Sequence, residues 1–257
     1  METLKVERND AVVTITMNRP EKKNAINETM WQELYTTFRE IRDSTTDRAV
    51  VLTGAGGAFC SGADLSGRGE GPRPHGLASM RKVNEVIMTL HELPQPTIAK
   101  VGGVAAGAGC NLALGCDLIV ASEEARFSQI FVRRGLSVDA GGTWLLPRLV
   151  GLHRAKELAL FGDIISAADA NEMGLVNRVV AAADLDEFVD DWANRLAAGP
   201  PITMAQTKRM LNASIHGTMA DSLHAEAAAQ TVNFATNDTT EAIAAFLQKR
   251  PPTFIGQ

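Results

Sequence analysis

Residues 99–149 constrain the fold of this chain more than any other part of its sequence. They begin with an apolar run, continue through a glycine-rich turn (GGVAAGAG) and pass into small and apolar residues that indicate a helix. A second glycine-rich segment, residues 53–65 (TGAGGAFCSGADL), follows another apolar run. Glycine and alanine let main-chain N–H groups approach a ligand closely, and a helix N-terminus favours negative charge. Two such turns meeting at one oxygen atom would form an oxyanion hole, whereas each turn taken singly is better explained as a tight connection between a strand and a helix.

Size and charge narrow the class of protein. A chain of 257 residues suits one large domain, or one domain with a helical appendage. The net charge of -5 disfavours nucleic acid or an anionic membrane as the main partner. The start METLKVERND is charged and has no apolar core, so it does not resemble a secretory signal. The most apolar region, residues 98–121, is interrupted by Lys100, Asn111 and Asp117, which makes it a poor membrane span.

The cysteines do not suggest a metal site or disulfides. Cys60, Cys110 and Cys116 lack the CxxC or Cys/His spacings of ligands, and the five histidines are scattered. We therefore expect reduced core thiols, a cytoplasmic protein and no metal.

The glycine turns also do not match a cofactor fingerprint. Gly107 and Gly109 give the first half of GxGxxG, but Leu112 stands at the third glycine position, and there is no GK[ST] of a P-loop. This spacing disfavours a nicotinamide or flavin oxidoreductase, and we expect no bound cofactor.

Hydrophobic periodicity predicts an α/β protein. Residues 4–6 and 11–17 flank Asn9-Asp10 and are typical of a hairpin. Strands and helices then alternate along the chain. The predicted strands are residues 49–53, 97–101, 117–121 and 175–180, and the predicted helices are residues 29–43, 79–93, 110–115, 141–150, 152–161 and 166–173. Ser166 is expected to cap the last of these helices and Gly174 to end it.

Two segments differ from this alternation. Residues 66–76 (SGRGEGPRPHG) are predicted to form a loop, either a lid over a site or an exposed connection. From residue 185 onward the periodicity is purely helical, over residues 185–198, 202–216, 219–234 and 239–248. We expect this tail to pack as an appendage or a subunit contact.

Several motifs together resemble the enoyl-CoA hydratase/isomerase (crotonase) family in their order and spacing. They are RPEKKNAIN, GAGGAFCSGADL, GGVAAGAGCNLALGCDLIVAS, ARFSQ, GLSVDAGGTWLLPRLVG and AADANEMGLVNRVV. The resemblance implies a crotonase (ClpP-like) α/β spiral of ββα repeats with a C-terminal all-helical trimerisation region. It divides the chain into a catalytic core, residues 1–196, and an oligomerisation region, residues 197–257. It also implies acyl-CoA thioester substrates and a homotrimer, or a hexamer built as a dimer of trimers.

The resemblance assigns roles to individual positions. It gives the two N–H groups that hold a thioester enolate to Ala63 and Ala108, the latter a mild departure because many members have glycine there. The expected contacts with coenzyme A, which is part of the substrate, are Lys22, Lys23, Ala25, Ser61, Asp64, Leu65 and, from a neighbouring subunit, Phe246 and Lys249. For Lys22 and Lys23, a role as solvated loop charges is an equally good interpretation.

The acid/base positions favour isomerisation over hydration. Family hydratases hold a water between two glutamates, and here those positions are Asn111 and Phe131, neither of which exchanges a proton at neutral pH. Asp139 stands where several family isomerases have a carboxylate, and apolar neighbours would raise its pKa towards the range of a general base. The alternative role for Asp139 is the cap of the helix that follows it.

The predicted function is therefore an enoyl-CoA isomerase that uses Asp139 as acid and base. The segment GLSVDAGGTWLLPRLVG is similar to that of ring-1,2-epoxyphenylacetyl-CoA isomerases, which are kept as a specific candidate. Two alternatives are a hydratase with unusual acid/base groups and an acyl-CoA binder without catalytic activity.

Overall fold

The computed structural model describes residues 1–66 and 75–257, so most of the predicted lid loop, residues 67–74, lies outside the described residues. The strands are β1 (Leu4–Asn9), β2 (Val12–Met17), β3 (Ala49–Gly54), β4 (Thr97–Val101), β5 (Val104–Ala106), β6 (Leu118–Ser122), β7 (Arg126–Ser128), β8 (Ile164–Ser166) and β9 (Arg178–Val180). The α-helices are α1 (Glu28–Asp43), α2 (Gly76–His91), α3 (Ala108–Leu114), α4 (Gly142–Phe161), α5 (Ala167–Glu172), α6 (Leu185–Ala197), α7 (Pro201–Ser214), α8 (Met219–Phe234) and α9 (Asn237–Gln248).

The larger sheet has the strand order β1-β2-β3-β4-β6-β9. The predicted hairpin of β1 and β2 is its antiparallel edge, with Asp10 in the left-handed region at the turn. The remaining neighbours are parallel and are joined through helices, as in other α/β folds. The prediction of an α/β protein is therefore confirmed.

A smaller sheet of β5, β7 and β8 was not predicted from the sequence. Residues 102–109 were expected to be a turn, but they include β5, which pairs with β7. Each of the three strands has only three residues, which is too short to show a period of two. This sheet lies at the start of α3, so it supports one of the two glycine turns.

The larger sheet is covered on both faces. Along β3, Val50 and Leu52 join the cluster formed with α1, whereas Val51 joins the cluster formed with α6. On α1 the buried side chains follow the predicted helical spacing; they are Met30, Leu34, Thr37, Phe38 and Ile41. Complete burial of an aliphatic or aromatic side chain contributes about 1.5–3 kcal/mol, so this face fixes α1 on the sheet.

The helix ends follow local rules. Ser166 caps α5, as predicted from the sequence, and the structure adds a capping box with Asp169. The two helices predicted at residues 141–150 and 152–161 are both present within α4, with non-helical dihedral angles at Gly151 between them. The helix therefore has a kink at Gly151, at the end of the helical segment that follows Asp139.

The last three helices are attached more loosely than the first six. α7 packs against α8, and α8 packs against α9. Lys208 of α7 contacts the core, where its Nζ atom lies 2.7 Å from Oδ2 of Asp117 and donates to the carbonyl of Gln95. Large apolar side chains on these helices remain exposed; they include Leu211, Met219, Leu223, Phe234, Ile243, Phe246 and Leu247. In the described part of the chain, no helix is both long and apolar enough to span a membrane.

Candidate active site

The two glycine-rich turns meet in the structure. The N–H of Cys60 donates to the carbonyl of Val104, and the N–H of Ala106 donates to the carbonyl of Cys60, both at 2.9 Å. A Cβ atom at Gly109 would lie only 2.6 Å from Cβ of Cys60, so α3 reaches this segment only because residue 109 is glycine. Residues 60–63 therefore lie directly against the start of α3.

The amides of Ala63 and Ala108 border this junction. Ala108 is the first residue of α3, where a helical N–H has no partner within the helix. A Cβ atom at Gly62, the residue before Ala63, would lie 3.7 Å from the amide nitrogen of Ala108. Within residues 1–66 and 75–257, neither the Ala63 N–H nor the Ala108 N–H donates a hydrogen bond to the protein. Two unused donors beside a helix N-terminus are the arrangement that an oxyanion requires.

Asp139 lies in a turn with unusual backbone angles. The next two residues, Ala140 and Gly141, both have positive φ, at 48° and 80°. The Asp139 side chain is half-buried, and its Oδ1 atom is shielded from solvent. α4 has Gly141 as its N-cap, and among the described residues no side chain caps it. The alternative role of Asp139 as the helix cap is therefore wrong.

A buried amide connects this turn to α3. Nδ2 of Asn111 donates to the main-chain carbonyl of Asp139 at 2.8 Å. Oδ1 of Asn111 accepts a hydrogen bond from Nε2 of Gln129, also at 2.8 Å. Since Asn111 lies one helical turn from Ala108, about 5 Å along the axis, the Asp139 turn is held close to the start of α3. Gln129 was not among the residues predicted from the sequence, although it is the last residue of the motif ARFSQ.

Both positions of the hydratase glutamates are buried and lack ionisable groups. Asn111 is completely buried, and Phe131 is nearly so. A Cβ atom at Gly107 would lie 3.8 Å from Cζ of Phe131, which places the ring against the residue before Ala108. Neither side chain offers a carboxylate. The main chain of Asp139, the acid expected from the sequence, is held next to α3 by Asn111.

The two segments expected to contact coenzyme A lie side by side. The N–H of Ser61 donates to the carbonyl of Lys23, and the N–H of Ile26 donates to the carbonyl of Gly62. The Lys22 and Lys23 side chains are exposed, while Ala25 is buried. Lys23 adopts a left-handed conformation with φ of 49° after the short 3₁₀ helix Pro20–Lys22. The structure thus joins the predicted residues of both segments into one continuous edge next to Ala63.

Asp64 has a structural role that the sequence analysis did not predict. Its carboxylate accepts hydrogen bonds from the main chain and hydroxyl of Ser66, and it pairs with Arg19 at 2.9 Å. Arg19 also donates to the carbonyl of Ala25. The hydrogen bonds from Ser66, together with the hydrogen bond and the charge of Arg19, lower the pKa of Asp64 to about 2. Leu65, beside it, is exposed.

The other predicted contacts with coenzyme A lie elsewhere in the chain. Phe246 is on α9, and Lys249 follows that helix in a left-handed conformation. The Phe246 side chain is 82% exposed, and α9 packs mainly against α8. Their expected role as contacts from a neighbouring subunit remains a prediction.

A cavity of about 850 Å³ lies between α2, the start of α4 and α7. Gly141, two residues after Asp139, forms part of its wall. Elsewhere in the lining, Nε1 of Trp144 donates to Nε2 of His216 at 3.0 Å. His91 packs edge-on against the same indole ring, and burial together with the charge of Lys208 lowers its pKa. No signal in the sequence indicated that α7 would contribute to the cavity.

The buried thiols are not nucleophiles. Cys60, Cys110 and Cys116 are unpaired with one another, and burial raises the pKa of each to about 12. Within the described residues, no group of three or more His, Cys, Asp or Glu side chains is arranged to hold a metal ion.

Known proteins share both the sequence and the fold. The family model for enoyl-CoA hydratase/isomerase matches residues 7–257. A 1,2-epoxyphenylacetyl-CoA isomerase from Escherichia coli (strain K12) is 38% identical over 250 residues, covering 96% of this chain and 95% of its own. A 2,3-dehydroadipyl-CoA hydratase from the same organism is 35% identical over 257 residues, covering 100% of both. The crystal structure of an enoyl-CoA hydratase from Bacillus anthracis matches with a TM-score of 0.95 and 33% identity, covering 99% of this chain and 100% of that one.

The chain therefore belongs to the enoyl-CoA hydratase/isomerase family. The predicted crotonase fold is confirmed, and the protein is an acyl-CoA enzyme of this family. Its relatives include proteins named hydratase and proteins named isomerase, so the family alone does not decide the reaction.

Proposed function

We propose that this protein is an enoyl-CoA isomerase in which Asp139 transfers a proton between two carbon atoms of the acyl chain. The observation that supports this most directly is which side chains occupy the three candidate acid/base positions, residues 111, 131 and 139. Asn111 is buried with both ends of its amide hydrogen-bonded, Phe131 is a buried ring, and Asp139 is a half-buried carboxylate in the turn tied to α3. At the two positions where family hydratases hold a water between acids, this chain has an amide and a phenyl ring.

The proposed reaction is a 1,3-proton shift. On a 3-enoyl-CoA, Asp139 removes a proton from C2, and the negative charge moves to the thioester oxygen as a dienolate. The N–H groups of Ala63 and Ala108 stabilise that oxygen, and each such donor contributes about 2.7–4 kcal/mol in the transition state. Asp139 then returns the proton to C4, so the product is a 2-enoyl-CoA and the enzyme regains its starting state.

We assign the coenzyme A part of the substrate to the edge formed by residues 22–26 and 61–65. Lys22, Lys23, Ala25, Ser61, Asp64 and Leu65 lie along it, and the exposed lysine ammonium groups suit phosphate groups. The acyl chain would extend past Gly141 towards the cavity beside Trp144. No further cofactor is needed for this chemistry.

The decisive experiment compares two substrates. Purified protein is incubated with a 3-enoyl-CoA and, separately, with a 2-enoyl-CoA, and the products are separated by chromatography. The proposal requires conversion of the first and little hydration of the second; rapid hydration of the 2-enoyl-CoA without any shift of the 3-enoyl-CoA would refute it. Asp139→Asn should abolish exchange of substrate protons with deuterated solvent, while binding of a saturated acyl-CoA is kept.

A second candidate is isomerisation of a ring epoxide on an aryl-acetyl-CoA. Its support is the 38% identity to the 1,2-epoxyphenylacetyl-CoA isomerase over nearly the whole chain. A hydratase with unusual acid/base groups is supported only by relatives with that name, such as the 2,3-dehydroadipyl-CoA hydratase. A protein that only binds acyl-CoA would bind coenzyme A esters and leave the 3-enoyl-CoA, the 2-enoyl-CoA and the ring-epoxide substrate unchanged.

We also propose that the chain works as a homotrimer or as a dimer of trimers, with residues 197–257 as the assembly region. The exposed apolar side chains of α8 and α9 support this, because a monomer would leave them in water. Free, buried cysteines suit a cytoplasmic location. Sedimentation of the purified protein tests the assembly state, since a monomer at micromolar concentration would contradict it.

A further inference from the structure

The turn that presents Asp139 needs support from its surroundings. Ala140 has φ of 48° and is buried, and Gly141 continues the left-handed path with φ of 80°. A residue with a side chain costs about 1–2 kcal/mol more in this region than in a right-handed conformation. The backbone at this turn sets where the Cβ atom of Asp139 points, so a group that holds the turn contributes to aiming the carboxylate.

Asn111 is a buried group that contacts this turn directly. Its Nδ2 atom donates to the Asp139 carbonyl at 2.8 Å, and the same carbonyl accepts the N–H of Gly142 at 3.0 Å. A Cβ atom at residue 142 would overlap Nδ2 of Asn111 and lie 2.6 Å from Cγ1 of Val138. The amide of Asn111 therefore fills the space that a side chain at residue 142 would need.

The chemistry of these groups fixes the orientation of both amides. A carbonyl oxygen only accepts hydrogen bonds, so the end of Asn111 that faces Asp139 must be Nδ2. Oδ1 then faces Gln129, which must present Nε2 to it at 2.8 Å. Gln129 is buried, and its Nε2 atom also lies 3.4 Å from Sγ of Cys110.

We propose that Asn111 is a positioning residue that aims the Asp139 carboxylate through its main-chain carbonyl, and that Gln129 keeps the Asn111 amide in the required orientation. This proposal rests on the proposed function, because it assumes that Asp139 transfers the proton. Position 111, which is a glutamate in family hydratases, thus holds an asparagine here that acts on the main chain of Asp139.

The first test replaces Asn111 by leucine, which has nearly the same volume and no donor. Since a displacement of about 1 Å at a reacting group costs about 100-fold in rate, Asn111→Leu should lower kcat by about 100-fold. KM, and the Kd for the saturated ester hexanoyl-CoA, should change by less than about 3-fold, because the amides of Ala63 and Ala108 are untouched. An unchanged kcat, or a loss of hexanoyl-CoA binding that matches the loss of kcat, would overturn the proposal.

The second test inverts the orientation of the amide without changing Asn111. In Gln129→Glu, an ionised Glu at this buried position only accepts hydrogen bonds, so Asn111 turns its Nδ2 away from Asp139. Once protonated, the same side chain donates as glutamine does. The kcat of the variant relative to the unaltered protein should therefore fall as pH rises from about 5 to about 9, since burial raises the pKa of a carboxyl. The thiol of Cys110, with a pKa of about 12, stays protonated over this range.

A matched control separates positioning from stability. Gln95 is also a buried glutamine, and its Nε2 atom donates to the carbonyl of Ile41 at 2.7 Å. Gln95→Met should lower the melting temperature and leave kcat unchanged. If the kcat of Gln129→Glu divided by that of the unaltered protein does not change with pH, the role of Gln129 is refuted. This outcome also overturns the positioning proposal if Asn111→Leu does not fold.

The variant Asp139→Asn separates the two proposals. If it keeps full turnover, the proposed function fails. If Asp139→Asn is inactive while Asn111→Leu and Gln129→Glu keep full activity, only the positioning role fails.

Discussion

Helices α3 and α7 differ in how they are held. All seven residues of α3 are buried, from Ala108 to Leu114. None of the fourteen residues of α7 is buried, although several are half-buried. An isolated helix of seven residues is unstable in water, so α3 exists only because the smaller sheet, residue 60 and the turn of Asp139 surround it.

The difference in burial between α3 and α7 corresponds to a difference in their roles. α3 presents an amide at its first residue and an amide side chain one turn later, and both depend on close packing. α7 is anchored through polar contacts at Lys208 and forms one wall of the cavity. We infer that rigidity is concentrated where the enolate oxygen and the acid must be aligned, while the C-terminal helices remain available to bind other copies of the chain.

Removing the close contact at α3 should have the largest effect. In Gly109→Ala, the added methyl group would lie 2.6 Å from Cβ and Sγ of Cys60. Because the Cys60 main chain is paired with Val104 and Ala106, the helix must move away from it. We expect kcat/KM to fall by at least about 100-fold, as for loss of an oxyanion-hole donor, together with about 1–3 kcal/mol of stability.

The control for this variant is Gly217→Ala, just before α8. A Cβ atom there has only ordinary contacts, the nearest at 3.5 Å from Cβ of Asp221, and φ is not positive. Activity and melting temperature should stay close to those of the unaltered protein. Equal losses of activity in the two variants would contradict the contrast between α3 and the C-terminal helices.

The anchor of α7 gives the next effect in size. Lys208→Met removes the cation at 2.7 Å from Asp117 and the donor to Gln95, both only partly accessible to water. Asp117 keeps its hydrogen bonds from the N–H and hydroxyl of Thr97. We expect a loss of about 1.5–3 kcal/mol in the free energy of unfolding, measured by urea denaturation.

The exposed pair of Arg195 and Asp191 is the matched comparison. It joins positions i and i+4 on α6, and both side chains are largely in solvent. Arg195→Met should cost less than about 0.5 kcal/mol. If both substitutions cost the same, α7 is not anchored through Lys208.

The contrast also explains what the sequence could and could not predict. α1 and the hairpin of β1 and β2 were predicted because their patterns lie within one element. β5 was assigned to a turn because three residues among glycines show no period. The alternation of strands and helices was predicted, whereas the order of the strands and the coverage of both sheet faces come from the structure.

The sequence and the family resemblance proposed the positions of the site, whereas the contacts between them come only from the structure. Ala63 and Ala108 are proposed to act through their main chain, which no residue type identifies, so only the resemblance indicated them. Asn111 and Asp139 are 28 residues apart, and Asn111 and Gln129 are 18 apart. Arg19 and Asp64 are 45 apart. Such pairs depend on how elements pack and on which way a side chain points, and one sequence gives neither.

The smallest expected effect concerns the ion pair beside the proposed coenzyme A edge. The pKa of Asp64 is about 2 in the folded protein, below its ordinary value of 3.8. A lowered pKa means that the carboxylate stabilises the fold fully above about pH 4 and that this contribution is lost as pH falls towards 2. Asp64→Asn should therefore be less stable by about 1 kcal/mol at neutral pH, and its unfolding free energy should fall less steeply between pH 4 and 2.

This change should leave α3 intact, because Asp64 joins residues 19–25 to the segment after Gly62 rather than supporting the helix itself. Any loss of activity should therefore appear in KM for the acyl-CoA substrate and not in kcat. Asp43, an exposed carboxylate whose pKa is lowered by Arg42 at the end of α1, supplies the comparison. Asp43→Asn should change neither KM nor kcat. A fall in kcat for Asp64→Asn would mean that the segment before it also sets the position of the Ala63 amide, and the rigid part of the site would then extend beyond α3.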